Sequence, residues 1–336
     1  MTIAQQVNLK LYNSFGIDAE AEYFTTIGSS EQLHEVITQM PNVPVKLLGG
    51  GSNILLTGPV GGLVIKNEVQ GIEVIAENEE YVYVRSGAGE VWHNLVLYCI
   101  SRGWQGIENL SLIPGCVGAA PMQNIGAYGV ELKDVFHELQ AWHLKEHTMI
   151  SFNLDDCQFG YRESVFKRRY AGIFAIMYVT LRLRKQPRFN VSYGAIMQTL
   201  ERMGVTELTV QAISNAVISI RQSKLPNPAQ IGNAGSFFKN PTIVNQLFES
   251  IKSQYPDVPG FVQDEQHTKV PAGWLIEACG YKGLRRGQAG VHSQQALVLV
   301  NYGGASGKEI YNLSQEILEA VNQKFQILLE REVNIW

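Results

Sequence analysis

From Leu112 to Leu132 the chain reads LIPGCVGAAPMQNIGAYGVEL. Gly115, Gly118, Gly126 and Gly129 are interleaved there with Ala119, Ala120 and Ala127. So many small residues in one short span let the backbone lie directly against a bulky, flat group. Gln123 and Asn124, in the same span, can hydrogen-bond amide-like edges. A flavin ring and its pyrophosphate would meet both needs. Small residues packed against a sheet would account for the glycines as well.

A second glycine run, LLGGGSNILL, sets Gly49, Gly50 and Gly51 between two apolar strands. Successive N–H groups in such a turn form a nest for an anion, and Ser52 and Asn53 add side-chain donors. A hairpin turn is the other reading, although two residues would suffice for one. The common nucleotide signatures are missing. SGAGEVWHNL supplies only Gly87 and Gly89 of a dinucleotide fingerprint. GGASGKE, near Gly303, imitates a P-loop, but its glycine spacing is one short and Glu309 stands where Ser or Thr is required.

Composition narrows the classes. The 336 residues suggest two or three domains of ~100–200 residues each. Hydrophobic residues make up 45% and charged residues 17%, enough apolar material for real cores. The net charge of -4 offers no basic excess for nucleic acid or an anionic membrane. Cys99, Cys116, Cys157 and Cys279 are far apart, with no CxxC, and His143 and His147 lie outside any HExxH. Neither a disulfide framework nor a metal site is expected. MTIAQQVNLKLYNSFGID lacks a signal-peptide core, and no run approaches the ~18 apolar residues of a membrane span. A cytoplasmic protein is expected and, with no heptad pattern, a monomer.

Helices and strands mix without regular alternation, which predicts an α+β fold. SSEQLHEVITQM reads as a helix capped at Ser30, with Leu33, Val36, Ile37 and Met40 on one face. VWHNLVLYCISRG reads as a helix ended by Gly103, and ELQAWHLKEHTMISFNL as a hairpin. IFAIMYVTLRLRK is a long strand, and TVQAISNAVISIRQSKLPNP a helix stopped by prolines. KEIYNLSQEILEAVNQKF is an amphipathic helix, and ILLEREVNIW a final strand.

Shorter motifs carry individual chemical groups. GNAGSFFKNP places Ser236 between glycines and two phenylalanines. FGYRESVFK offers Tyr161 and Arg162, a pairing suited to a carboxylate. VSYGAI holds Tyr193, and Lys224 precedes a proline turn. LLEREV puts Glu330 and Glu332 on one face of a strand, so alternation cannot choose between them.

Taken in order, NSFGID, LGGGSNILL, SGAGEVWH, GIENLSLIPGCVGAAPMQNIGAYGVEL, FGYRESVFK, RQSKLPNP, GNAGSFFKNP, PAGWLIEACGYKG, VHSQQALVLVN and LEREV closely resemble one family. It is the UDP-N-acetylenolpyruvoylglucosamine reductases, in the type I form with a tyrosine loop. The resemblance implies a two-part FAD-binding region of the vanillyl-alcohol-oxidase/PCMH type plus a separate α+β substrate-binding domain. Residues 1–67, completed by about 326–336, would be the first FAD part. Residues 68–221 would be the second, with the PCMH-type region at about 17–187, and 222–325 would bind substrate. FAD would be noncovalent and NADPH the cosubstrate. The implied reaction reduces the enolpyruvyl double bond of a UDP-sugar to give UDP-N-acetylmuramate for peptidoglycan.

On the same ground Ser236 matches the proton donor, and Arg162 and Glu332 match the other two active-site positions. Tyr193, Lys224 and Asn240 match residues near the UDP diphosphate, with Tyr161 beside Arg162. Two other readings stay open: an alcohol oxidase of the same fold, with Cys116 placed to hold a covalent flavin, and a binding protein that has lost the chemistry.

Overall fold

The apolar run IFAIMYVTLRLRK forms the strand Phe174–Arg184. It is the central strand of a five-stranded antiparallel sheet, in the order Thr148–Asn153, Phe136–His143, Phe174–Arg184, Tyr81–Gly87, Ile72–Glu77. Ala175 and Met177 pack into one core with Ile27, Leu33 and Val36. Ile176 between them, and Val179, Leu181 and Leu183 beyond the register shift at Met177, pack into a second with Val84, Leu95 and Leu139. A strand covered on both faces needs apolar side chains at successive positions, which is why this one does not alternate cleanly.

The computed structural model describes residues 1–336. Two units are distinguished, and the chain crosses between them repeatedly. The first comprises Met1–Val7, Ala21–Gly51 and Gly61–Ser223; the second comprises Asn8–Glu20, Ser52–Val60 and Lys224–Trp336.

Besides the five-stranded sheet, the first unit holds a four-stranded sheet in the order Ala4–Asn8, Glu20–Ile27, Val60–Asn67, Val45–Leu48, its last pair parallel. The helix Ser30–Gln39 buries Leu33, Val36 and Ile37, as their spacing predicts. Its cap, however, is Ser29 and not Ser30: Ser29 is extended and its side chain accepts the Gln32 N–H. Ser30 is already helical, so the cap falls one residue earlier. The helices Gly194–Arg202 and Val210–Lys224 share a small core of Ile196, Leu200, Ile213, Ala216, Val217 and Ile220.

The second unit is built on an antiparallel sheet in the order Gly232–Ser236, Val298–Asn301, Ala289–Val291, Arg285–Arg286. The segment Asn13–Gly16 docks on its first strand. Ser14 exchanges hydrogen bonds with Asn233, and the Asn301 amide donates to the Phe15 carbonyl at 2.9 Å. A Cβ at Gly232 would lie 2.2 Å from that carbonyl oxygen, so the strand must carry a glycine there.

The helix Gly307–Phe325 begins with a reciprocal capping box between Ser306 and Glu309. This gives the P-loop-like GGASGKE a structural role. The expected final strand is shorter than its sequence suggests. Arg331 bridges Phe238, and only Asn334–Ile335 pairs with Ile54–Leu55, in parallel. The segment changes partner midway, so neither ladder extends. No helix is long and apolar enough to cross a membrane.

Candidate active site

In the first unit the two glycine runs meet. A Cβ on Gly50 would lie 3.0 Å from the Gly115 Cα, and one on Gly49 would lie 3.6 Å from the Cys116 Cβ. Gly51 and Gly115 both have positive φ, at 61° and 107°. The second run is anchored from below. Val117 and Gly118 donate to the Glu90 and Ala88 carbonyls, and Trp92 donates to that of Gly115. Gly118 cannot carry a side chain, because its Cβ would meet that of Ala88 at 2.5 Å. Gly87 and Gly89, two glycines of a failed dinucleotide motif, are explained the same way: a Cβ there would lie 2.4 Å from the Val69 carbonyl oxygen and 2.6 Å from the Glu68 backbone.

Asn124 is buried and left-handed, with φ 45°. Its amide nitrogen donates to Glu131 and to the Gly160 carbonyl, and its oxygen accepts from the Lys133 N–H. Both amide protons are therefore engaged, leaving one acceptor lone pair for anything else. Arg162, also at positive φ (56°), donates to the Gly126 carbonyl at 2.8 Å and packs 5.4 Å from the Tyr161 ring. A Cβ on Gly126 would come within 3.1 Å of the Arg162 guanidinium. Tyr193 precedes the helix Gly194–Arg202, half exposed, with its ring edge-on to Tyr128 at 5.3 Å. Gln123 lies in the short turn Pro121–Gln123.

Burial pushes the Cys116 thiol up from its ordinary range, against the nearby Lys66 charge. That disfavours the thiolate a covalent attachment would use. Nearby, Leu112 is held in a left-handed conformation, φ 58°, between two side chains. Its N–H donates to His93 Nδ1 at 2.9 Å, and its carbonyl accepts from Arg221 at 3.2 Å. Burial, and then the Arg221 charge, lowers the His93 pKa, which suits a neutral ring accepting that N–H.

In the second unit Ser236 ends the strand Gly232–Ser236, after a bulge made by Gly235 at φ 70°. Phe237 and Phe238 are buried directly behind it, their rings 5.3 Å apart. The chain then pairs with residues 330–332. Lys239 donates to the Glu330 carbonyl at 2.9 Å, and Glu332 to that of Phe237 at 2.8 Å. The Lys239 ammonium lies 2.7 Å from the Glu330 carboxylate. Glu330, one of the two glutamates that the sequence could not separate, is thus ion-paired with Lys239. Asn53, expected at a cofactor, donates its amide to the Glu332 carbonyl at 3.3 Å. Asn240 accepts from the Ala272 N–H at 2.9 Å, satisfying the first turn of the helix Ala272–Ala278. Lys224, the last residue of its helix, is exposed.

Residues 21–148 match a family model described as FAD binding domain. Residues 227–336 match one described as UDP-N-acetylenolpyruvoylglucosamine reductase, C-terminal domain. A UDP-N-acetylenolpyruvoylglucosamine reductase of Amoebophilus asiaticus is 47% identical over 337 residues, covering 100% of this chain and 99% of its own. The chain belongs to the UDP-N-acetylenolpyruvoylglucosamine reductase family. A second reductase, from Pseudomonas putida, is 47% identical over 334 residues, covering 99% of this chain and 98% of its own. A crystal structure of the reductase from Thermus caldophilus covers 100% of this chain and 99% of its own with a TM-score of 0.71. At 24% identity it shows the shared fold. The chain is an FAD-dependent oxidoreductase of α+β architecture, with an FAD-binding part and a C-terminal reductase part.

The residues present fit FAD. From Gly50 to Ser52 no backbone N–H donates to a protein carbonyl, so the turn keeps donors for a pyrophosphate. A side chain at Gly50 or Gly118 would strike the Gly115 backbone or Ala88, so these glycines let the two runs lie close together and against the chain beneath them. Lys239, Arg331 and Asn301 were not singled out from the sequence. The available signal was a lysine set between phenylalanines and an asparagine in GSFFKNP.

Proposed function

We propose that this enzyme reduces the enolpyruvyl double bond of UDP-N-acetylglucosamine enolpyruvate to give UDP-N-acetylmuramate, a peptidoglycan precursor, with NADPH as reductant. The observation that carries this reading is the full-length family match, with Ser236, Arg162 and Glu332 all present. When bound, FAD supplies the hydride relay between NADPH and the substrate.

Ser236 Oγ would donate the proton to the carbon beside the substrate carboxylate. Serine is a weak acid, so it must be held close and kept from competing water. The Gly235 bulge and the buried Phe237 and Phe238 support that role. The Arg162 guanidinium would pair with the carboxylate, whose charge grows as the enolate forms, and so bind the transition state better than the ground state. Glu332 would steady the same oxygens. Tyr193, Lys224 and Asn240 would bind the UDP diphosphate, with Tyr161 supporting Arg162. Gly49, Gly50, Gly51, Ser52, Asn53, Gly115 and Gly118 would line the FAD pyrophosphate, and Gln123, Asn124 and Gly126 would shape its ring site. The three-part division at about residues 67 and 221, a cytoplasmic location and a monomeric state belong to the same proposal.

The test is anaerobic. The flavin band should bleach with NADPH and return on adding the enolpyruvyl substrate. In Ser236→Ala the bleaching should persist at near-normal rate, while the return slows by on the order of a hundredfold or more. A band restored only by oxygen would overturn the proposal.

A further inference from the structure

The glycine-rich run ends in a two-residue hairpin. Gly126–Ala127 pairs antiparallel with Val130–Glu131, and Tyr128 and Gly129 form the tip, both left-handed at φ 51° and 81°. So tight a turn needs positive φ at both central residues, which suits Asn or Asp followed by Gly. A tyrosine is strained in that conformation. Strain of this kind persists where the surroundings over-determine the residue, and here the main chain of the tip is held from outside the hairpin.

Two asparagines hold it. Asn109 is 1% exposed, in the short helix Glu108–Leu110 between the core residues Ile107 and Leu110. Its amide nitrogen donates to the Tyr128 carbonyl at 3.0 Å and to the Asn190 carbonyl at 2.9 Å. A primary amide offers two N–H donors, one for each carbonyl. Asn190 donates in turn to the Gly129 carbonyl at 3.0 Å, while its oxygen accepts from the Ser192 N–H and hydroxyl at 3.2 and 2.7 Å. A Cβ on Gly129 would stand 3.3 Å from that Asn190 nitrogen, so glycine leaves the bond its room.

The segment that Asn109 joins to the hairpin carries Tyr193. Residues 186–193 lie in neither helix nor strand, between Phe174–Arg184 and Gly194–Arg202. Gln105 accepts the Arg188 N–H at 3.0 Å, and Asn109 holds the next turn of chain at Asn190. Phe189 and Val191 pack with Tyr128 against the core of the two following helices. Apolar packing is non-directional; the two amides supply direction. They fix Tyr128 through its own carbonyl and Tyr193 through the residue three before it, and the two rings meet edge-on at 5.3 Å.

We propose that Asn109 is a positioning residue for substrate binding: it clasps the segment 186–193 to the hairpin tip and so sets Tyr193 where the nucleotide diphosphate is received. The inference rests on the role given to Tyr193 above. Asn109 is buried, and it acts through the two carbonyls it holds.

The test is a double-mutant cycle on the FAD-loaded enzyme. Asn109→Ala, Tyr193→Ala and the double variant are compared by their affinity for UDP, the probe. They are also compared by the rate at which the enolpyruvyl substrate reoxidises the reduced flavin, followed against substrate concentration. Asn109→Ala should weaken UDP binding and raise the half-saturating substrate concentration by roughly fivefold to thirtyfold, as loss of one or two hydrogen bonds shifts an equilibrium. The limiting rate should stay within about threefold, the mark of lost binding with the chemistry intact.

In the Tyr193→Ala background the same substitution should change UDP affinity by less than about twofold, because a residue that acts through Tyr193 has nothing left to position. Asn190→Ala removes the return bond without emptying a core position. It should weaken UDP binding by about twofold to fivefold, and it carries the test where Asn109→Ala sheds its flavin. Parent-like UDP affinity in both asparagine variants would overturn the proposal. So would a loss from Asn109→Ala that persists undiminished without the Tyr193 ring. A Tyr193→Ala enzyme that binds UDP as the parent does would instead overturn the role of Tyr193 itself, so the two failures are distinct.

Discussion

Asn301→Ala should weaken the second unit far more than its small change in volume suggests. Asn301 is 5% exposed, at the end of the strand Val298–Asn301. Its amide donates to the Phe15 carbonyl at 2.9 Å, and its oxygen accepts from the Gly303 and Ala305 N–H groups at 2.9 and 3.0 Å. A protein hydrogen bond contributes about 1 kcal/mol net, and a buried partner left unsatisfied costs a further ~1–3 kcal/mol. Gly303 is exposed and can turn to water, whereas Phe15 and Ala305 are buried. The expected loss is therefore about 3–5 kcal/mol.

Urea unfolding, followed by tryptophan fluorescence and by circular dichroism, would read this as a midpoint lowered by roughly 1.5–2.5 M at an m-value of about 2 kcal/mol/M. Asn301→Asp keeps the acceptor but sets a carboxylate against the Phe15 carbonyl, and should lose a comparable amount at neutral pH. A midpoint shift below about 0.5 M in Asn301→Ala would refute the reasoning. It would mean that the Asn13–Gly16 segment is held to its strand by something other than these bonds.

Other expectations follow from burial and close approach. Burial raises the Glu108 carboxyl above its usual range, against the N–H of Gly106 at 2.6 Å. A raised folded pKa makes stability greatest below the unfolded value of roughly 4.3 and progressively lost as pH rises through the folded value. The melting-temperature advantage of Glu108→Gln over the parent should therefore grow with pH across that window; a constant difference would contradict it. Cys99 and Cys157 are buried, with thiols pushed up to about 12, so iodoacetamide at pH 8 should label neither until the chain is unfolded. Mass spectrometry showing native-state labelling at Cys99 would count against this. Gly50→Val puts a side chain 3.0 Å from the Gly115 backbone. It should weaken FAD binding by about tenfold or more, seen as flavin fluorescence released on dilution; unchanged retention would remove that loop from the cofactor site.

Most of the fold was legible because periodicity reports burial directly. The helix at Ser30–Gln39 and the hairpin of Phe136–His143 with Thr148–Asn153 each carry their pattern within one short stretch. The departures are positions where a local preference met a longer-range partner. Ser29 caps in place of Ser30 because backbone geometry, not residue type, selects between adjacent serines. The final strand shortened because it meets Phe238 at Arg331 and Ile54 at Asn334, two partners that no local pattern reveals.

The same division holds at the candidate site. The sequence by itself determined where glycine was needed and which side chains could carry charge, because those properties belong to single residues. It could not assign Glu330 and Glu332 separate places, since both have the same chemistry and the same phase along the strand. Tertiary structure pairs the segment with residues 237–239, so that the buried Lys239 ammonium falls opposite Glu330. It likewise turned Asn53 toward the Glu332 carbonyl and Asn240 toward a helix start. An ion pair or a cap is a relation between residues distant in the chain, and only the fold fixes the distance on which its energy depends.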